Sequence, residues 1–141
     1  HFAIRRQRQM CIRDRGIGID TVERERVSRI FTKYGEKFEN KILGNNEKKE
    51  FNLKKNNRQK IRYLSNSFAV KEAFSKVIGL GFSNGVSPKE IEVLRDPKGK
   101  PYIKLNGKTK DIAKNLQVHN ISVSLTDTNT QSTAFVIGEK L

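Results

Sequence analysis

The chain is short of several things. It has one cysteine, Cys11, in 141 residues, so no internal disulfide braces it, a composition that fits a reducing compartment. No run approaches the roughly 20 apolar residues that a membrane span needs. The P-loop, the GxSxG nucleophile elbow and zinc-ligand spacings are all missing. There is no internal repeat. Acids are scarce beside bases, 15 against 29, for a formal net charge of +14. Such a surface attracts polyanions: nucleic acid, an anionic membrane, a phosphorylated cofactor or an acidic protein. Charge sets the sign of the partner and does not choose among these.

What is present suits one domain with a modest core; 35% of residues are apolar and 31% charged. His1 to Arg15 stands apart, with five arginines, one aspartate and no clear period. It lacks the apolar stretch of a signal peptide and reads as a non-native or mis-assigned flank, leaving residues 16–141 as the domain. Without the flank's net +4 the remainder still carries +10, so the basic character belongs to the body of the protein.

Along the body, Gly16-Ile17-Gly18-Ile19-Asp20 reads as a short buried strand that Asp20 closes. Thr21 to Tyr34 reads as a helix capped by Asp20 or Thr21, with an apolar stripe of Val22, Val27, Ile30 and Phe31. Its other face carries Arg24, Arg26, Arg29 and Lys33. Residues 41–62 hold eight Lys or Arg against Glu47 and Glu50. They read as a solvated segment or a phosphate- or partner-binding flap. Helical turns fall near Asn46–Leu53, anchored by Phe51 and Leu53, and Asn56-Asn57 forms a break. A helix spans about Asn66 to Ile78 with Gly79 as its C-terminal cap. Alternation over Glu90–Leu94 and Pro101–Leu105, around the turn signal Asp96-Pro97-Lys98-Gly99, makes a hairpin. Thr109 to Leu116 reads as a short helix, and Ile121–Leu125 and Thr133–Ile137 as strands. The order predicts an α+β domain with a mainly antiparallel sheet packed with helices.

The chemistry concentrates in Phe68-Ala69-Val70-Lys71-Glu72-Ala73-Phe74-Ser75-Lys76. Glu72 and Lys76 lie four apart, on one helical face. With Asp20 they make a set able to hold a divalent metal and a phosphate. The plain alternatives are a helix cap for Asp20 and an ordinary ion pair for Glu72 and Lys76. His119 has no partner cluster, and Cys11 has no activating context. Spacing alone reaches a basic α+β domain with a possible acid-pair metal site, and no further.

Four segments carry a resemblance. They are Gly16–Asp20 followed by Val22-Glu23 and Arg26-Val27; Phe68–Ala73 with Lys76; Gly79-Leu80-Gly81 leading to Gly85-Val86-Ser87 and Ile91-Glu92-Val93; and Gly99–Tyr102 with Val123-Ser124-Leu125-Thr126. In this order and spacing, over about residues 16–138, the chain resembles the 4′-phosphopantetheinyl transferase superfamily, in its small homotrimeric form. The resemblance implies that family's fold. It also implies Mg²⁺-dependent transfer of the 4′-phosphopantetheine arm from coenzyme A to a serine of apo acyl carrier protein, in cytoplasmic fatty acid biosynthesis. Asp20 and Glu72 then hold the metal, and Glu72 and Lys76 are catalytic. Lys76, with Arg58, Arg62 and Thr126, grips coenzyme A. The serine proton passes to a metal-linked water or to Glu72. Arg26, Arg29 and Lys33 form a docking face for the acidic carrier, with Arg24 a further member on helix geometry. Active sites lie between subunits of a homotrimer, and no membrane or nucleic-acid partner is expected.

Three positions depart from the family pattern: Arg13-Asp14-Arg15 where apolar residues are usual, Ser67 where many members carry arginine, and Asp127 where many carry histidine and some an acid. A second reading of the charge is a basic RNA-binding module without catalysis, stacking bases on exposed Tyr34, Tyr63 and Tyr102.

Overall fold

A computed structural model describes residues 14–140; the readings made for residues 1–13, Cys11 among them, lie outside the described residues. Strand β1 (Asp14–Glu23) leads into helices α1 (Arg24–Tyr34), α2 (Glu36–Ile42), α3 (Asn45–Asn52) and the long α4 (Asn57–Ile78). A hairpin follows, β2 (Ile91–Arg95) and β3 (Pro101–Leu105), then α5 (Gly107–Asn115) and a second pair, β4 (Val118–Asp127) and β5 (Gln131–Lys140). Every pairing is antiparallel: β1-β5-β4 forms one sheet and β2-β3 the other. The α+β reading holds.

Local boundaries shift for physical reasons. The first helix starts at Arg24 rather than Thr21, because Thr21, Val22 and Glu23 stay in the ladder opposite Thr133, Ser132 and Gln131. Two of those three residues are β-branched and suit a strand. Neither Asp20 nor Thr21 caps the helix; the N-cap is Glu23, without a side-chain bond. The chain does break after α3, and Asn56, at the end of that break, caps the next helix. Its Oδ1 accepts from the Gln59 amide at 2.9 Å, so α4 begins nine residues before the expected start. Phe51 anchors α3 as expected, whereas Leu53 is 80% exposed. Strands β4 and β5 run ten residues each, twice their apolar cores.

Helix α4 packs on β1 and β5 on one side and on β2 on the other. Against the sheet the backbones meet almost directly. A Cβ on Gly18 would lie 1.8 Å from the Ala73 carbonyl oxygen, and one on Gly16 would lie 2.7 Å from that of Val77. Glycine at these two positions is what lets the helix touch the strand.

The other side of α4 is tied by a charge. Lys71 is fully buried, and its Nζ donates to Glu47 Oε1 at 2.6 Å, to the Ile91 carbonyl at 2.6 Å and to the Pro88 carbonyl at 2.9 Å. Glu47, also fully buried, accepts in addition from the amides of Gly44 and Val93. Burial pushes the Glu47 carboxyl up and the Lys71 amine down, each opposed by the other's charge. Buried Glu92 completes the network by accepting from the backbone amides of Asn46 and Glu47 at the start of α3, and from the Asn106 side chain. Anions suit that helix end.

Removing one partner leaves the other charge buried and unpaired. Lys71→Met is expected to lower unfolding stability by about 3–5 kcal/mol. Lys71→Met with Glu47→Leu should recover most of the loss in a urea titration. A double variant no more stable than the single one would contradict this.

Candidate active site

Gly16 and Gly18 face α4, so with the two-residue period of a strand Asp20 faces it as well. It lies within the strand, opposite Ala134, and not at its end. Glu72 approaches from α4. Asp20, Glu72 and Arg26 line one cleft of about 460 Å³, walled by Val27, Ile30, Phe38 and Phe68. Partial burial raises the Glu72 carboxyl above its ordinary range, and the Asp20 charge adds to this; Lys76 and Arg26 pull the other way. The Asp20 carboxylate therefore lies close enough to disfavour charge on Glu72.

Lys76 does not pair with Glu72. Its Nζ donates to the Ile19 carbonyl at 2.7 Å and contacts Asp20 Oδ1 at 3.3 Å, so it bridges α4 to β1. The side chain remains 52% exposed. No set of three or more His, Cys, Asp and Glu able to hold a metal exists among the described residues. Two carboxylates in an open cleft fit half a site for a hard cation such as Mg²⁺. Such an ion usually keeps several waters and takes further oxygens from a substrate phosphate.

The arginines expected to grip coenzyme A lie elsewhere. Arg24, Arg58 and Arg62 line a different cleft, of about 670 Å³, with Asn56, Thr128 and Asn129. Asp127 is its hub. Arg62 reaches it through two nitrogens at 2.8 and 3.3 Å, Arg24 at 3.2 Å and the Asn66 amide at 2.9 Å. Hydrogen bonding to Arg62 is the chief cause that holds the Asp127 carboxyl below its ordinary value, and the same bond raises Arg62. Arg58 is 3.5 Å from the Asn129 side chain. Thr126 lies next to this hub on β4, opposite Thr133.

The structure thus brings Asp20, Glu72, Lys76 and Arg26 together. It keeps Arg58, Arg62 and Thr126 apart from them; the two clefts share no lining residue. Arg29 and Lys33 are exposed on α1 with Arg26, whereas the Arg24 side chain is only 12% exposed and belongs to the Asp127 hub. Ser67 is buried rather than displayed. Tyr63 is not free for stacking, since its hydroxyl contacts the Glu47 carbonyl and Glu50 Oε2. The sequence reading missed the buried pair of Lys71 and Glu47. Its one signal was a lysine set among Ala69, Val70, Ala73 and Phe74, on the apolar side of a helix.

Comparison with known proteins bears on this arrangement. The sequence profile of the 4′-phosphopantetheinyl transferase superfamily matches residues 16–136. The holo-[acyl-carrier-protein] synthase of Wigglesworthia glossinidia brevipalpis is 44% identical over 126 residues, covering 88% of this chain and 91% of the relative. The crystal structure of the Neisseria meningitidis holo-[acyl-carrier-protein] synthase superposes with a TM-score of 0.82 at 33% identity, over 89% of this chain and 98% of that one. The Bacillus anthracis enzyme, solved in complex with CoA (3′,5′-ADP), gives a TM-score of 0.74 at 28% identity, over 89% and 96%. The chain belongs to the 4′-phosphopantetheinyl transferase superfamily.

The Asp127 hub carries a pH signature. A carboxyl held below its ordinary value contributes stability that is full above the unfolded value of about 3.9. The contribution fades as pH falls through the lowered folded value. Asp127→Asn is expected to cost about 1–2 kcal/mol at pH 7. The gap from the native protein should close below about pH 4 in urea unfolding series. A gap constant from pH 7 to 3 would contradict the assignment.

Proposed function

We propose that this protein is a holo-acyl-carrier-protein synthase, transferring the 4′-phosphopantetheine arm of coenzyme A to a serine of apo acyl carrier protein. Adenosine 3′,5′-bisphosphate is the second product. The observation that carries the reading is the acid pair, Asp20 from β1 and Glu72 from α4, held in one cleft beside Lys76 within a chain of this superfamily.

The reaction joins the serine Oγ to the pantetheine-side phosphorus and breaks that phosphorus's bond to the bridging oxygen of the diphosphate. Catalysis of such a step is mainly positioning and charge stabilisation. Asp20 and Glu72 are the residues that would hold Mg²⁺, whose chemistry when bound is to neutralise charge on the diphosphate. Lys76, tied to Asp20 beside the cleft, is a point charge suited to a phosphate oxygen. Glu72, which lines the cleft, and water are the two acceptors open to the serine proton.

Docking of the carrier falls to Arg26, Arg29 and Lys33. All three are exposed on α1, and Arg26 also lines the cleft. A positive face of this kind steers an acidic partner and fixes its approach. Arg58, Arg62 and Thr126 are assigned to the adenosine phosphates of a coenzyme A bound to a neighbouring copy, because none of the three lines the acid-pair cleft. A homotrimer with sites between subunits answers that separation. The outward face of the β1-β5-β4 sheet supports self-association: Ile17 is 59% exposed, Ile19 56% and Phe135 37%. Phe135 pairs with Ile19, and Ile137 with Ile17, across that face. The cytoplasm and fatty acid biosynthesis are assigned with the activity.

Mass spectrometry of apo acyl carrier protein incubated with this protein, coenzyme A and Mg²⁺ tests the reading. The carrier serine should gain one phosphopantetheine, and EDTA should prevent it. Glu72→Gln is expected to lower the rate by roughly 10²–10³ while the protein stays folded. A gain in mass unaffected by EDTA or by Glu72→Gln would overturn the metal assignment. Arg26→Glu should raise the KM for the carrier roughly tenfold at low salt and much less at high salt; an unchanged KM would remove the docking face.

A further inference from the structure

Three guanidinium groups meet at the Asp127 cleft, and one of them lies outside every segment that carries the family resemblance. Arg24 opens α1, directly after β1. Its amide donates to the Thr130 carbonyl at 2.9 Å, which pins it to the turn between β4 and β5. Its guanidinium turns inward to Asp127 at 3.2 Å, and the side chain is only 12% exposed, against 59% for Arg62. Arg58 is exposed at the rim and has the Asn129 side chain at 3.5 Å. Arg24 is therefore held more firmly than Arg62, and ordering it around a ligand costs less side-chain entropy.

We propose that Arg24 is a specificity-determining residue for the donor: with Arg58 and Arg62 it binds the phosphate monoester at the adenosine 3′ position, and so separates coenzyme A from 3′-dephospho-coenzyme A. The inference rests on the transferase reading above. The donor carries two anionic groups, a diphosphate and that monoester. The diphosphate belongs at the acid pair with its cation, which leaves the monoester for the arginines. Charge agrees. Arg24, Arg58, Arg62 and Asp127 are the only charged residues among the described ones that line this cleft, so its net charge is +2. A phosphate monoester carries about −1.5 to −2 near pH 7.

Asp127 has a positioning part in this arrangement. It accepts from Arg24, Arg62 and Asn66, and so gathers their donors at one point of the cleft. A planar guanidinium offers further N–H groups beyond the one that meets Asp127, in a fork that matches phosphate oxygens. The N-terminus of α4 opens onto the same cleft through Asn56 and Arg58, and its dipole adds positive potential there. No bond forms or breaks at this cleft, so Arg24 acts on donor affinity and leaves the chemical step to the acid pair.

The test compares coenzyme A with 3′-dephospho-coenzyme A in steady-state kinetics of the native protein, Arg24→Leu and Arg24→Lys, with the KM for the carrier read alongside. The native protein should favour coenzyme A in kcat/KM. Arg24→Leu should cut that preference about tenfold by raising the KM for coenzyme A, while the KM values for dephospho-coenzyme A and for the carrier stay within about twofold of native. Arg24→Lys keeps a charge beside Asp127 but loses the fork, and its preference should fall between the two. Equal losses with both donors in both variants would make Arg24 a structural residue. An unchanged preference with a raised KM for the carrier would place it on the docking face. Either result overturns the proposal and leaves the transferase reading standing, as does a native protein that uses both donors equally well. A native protein that uses neither donor overturns both.

Discussion

The contact between α4 and β1 is the constraint on which the rest depends. Glu72 and Asp20 sit on different elements, and they share a cleft only because the helix backbone touches the strand. Gly16 and Gly18 permit that approach, since any Cβ there would strike a carbonyl of α4. Close packing alone does not fix the rotation of a helix about its axis. Here Lys71 does so from behind. Three acceptors, from α3, from the turn before β2 and from β2 itself, hold its ammonium. The residue after Lys71 is Glu72, so the tie that sets the helix's rotation lies next to the carboxylate it aims.

The two charged features of α4 differ in kind. Lys71 and Glu47 are buried, matched and fully hydrogen-bonded, an arrangement that contributes uniqueness of packing more than net stability. Asp20 and Glu72 are mismatched. Like charges face each other with only partial relief from Lys76 and Arg26. Under the proposed function the pocket must be anionic before a cation arrives, and that imbalance is the expected cost of such a pocket. The Asp127 hub shows the complementary case: two guanidinium groups and an amide gather on one carboxylate. Asp127 is thereby well partnered, while the buried Arg24 Nε beside it has no hydrogen-bond partner.

Much of this was legible in the sequence, but unevenly. Amphipathic spacing placed the second half of α4 and its cap Gly79, which is left-handed as expected. Alternation placed the hairpin and the last two strands. The first half of α4 was hidden because Asn57–Ile61 is polar and basic. Its helicity comes from the Asn56 cap and from continuity with the buried half, not from its own pattern. Asp20 as a helix cap was a sound default that tertiary pairing overrode, since β5 extends far enough to hold Thr21–Glu23 in the sheet. Arg24 shows the limit of helix-face geometry. It lies on the polar side by spacing, yet Asp127, more than 100 residues away in sequence, draws it inward. Long-range ties such as Lys71 to Glu47 leave almost no periodic trace, because a buried ion pair resembles two surface charges until the fold joins them.

Titration calorimetry of coenzyme A binding, with and without Mg²⁺, bears most directly on the acid pair. If Asp20 and Glu72 form half a cation site that the diphosphate completes, Mg²⁺ should tighten coenzyme A binding by at least about tenfold. Glu72→Gln should erase that gain without unfolding the protein. Equal affinity with and without Mg²⁺, or a gain that survives Glu72→Gln, would contradict the assignment.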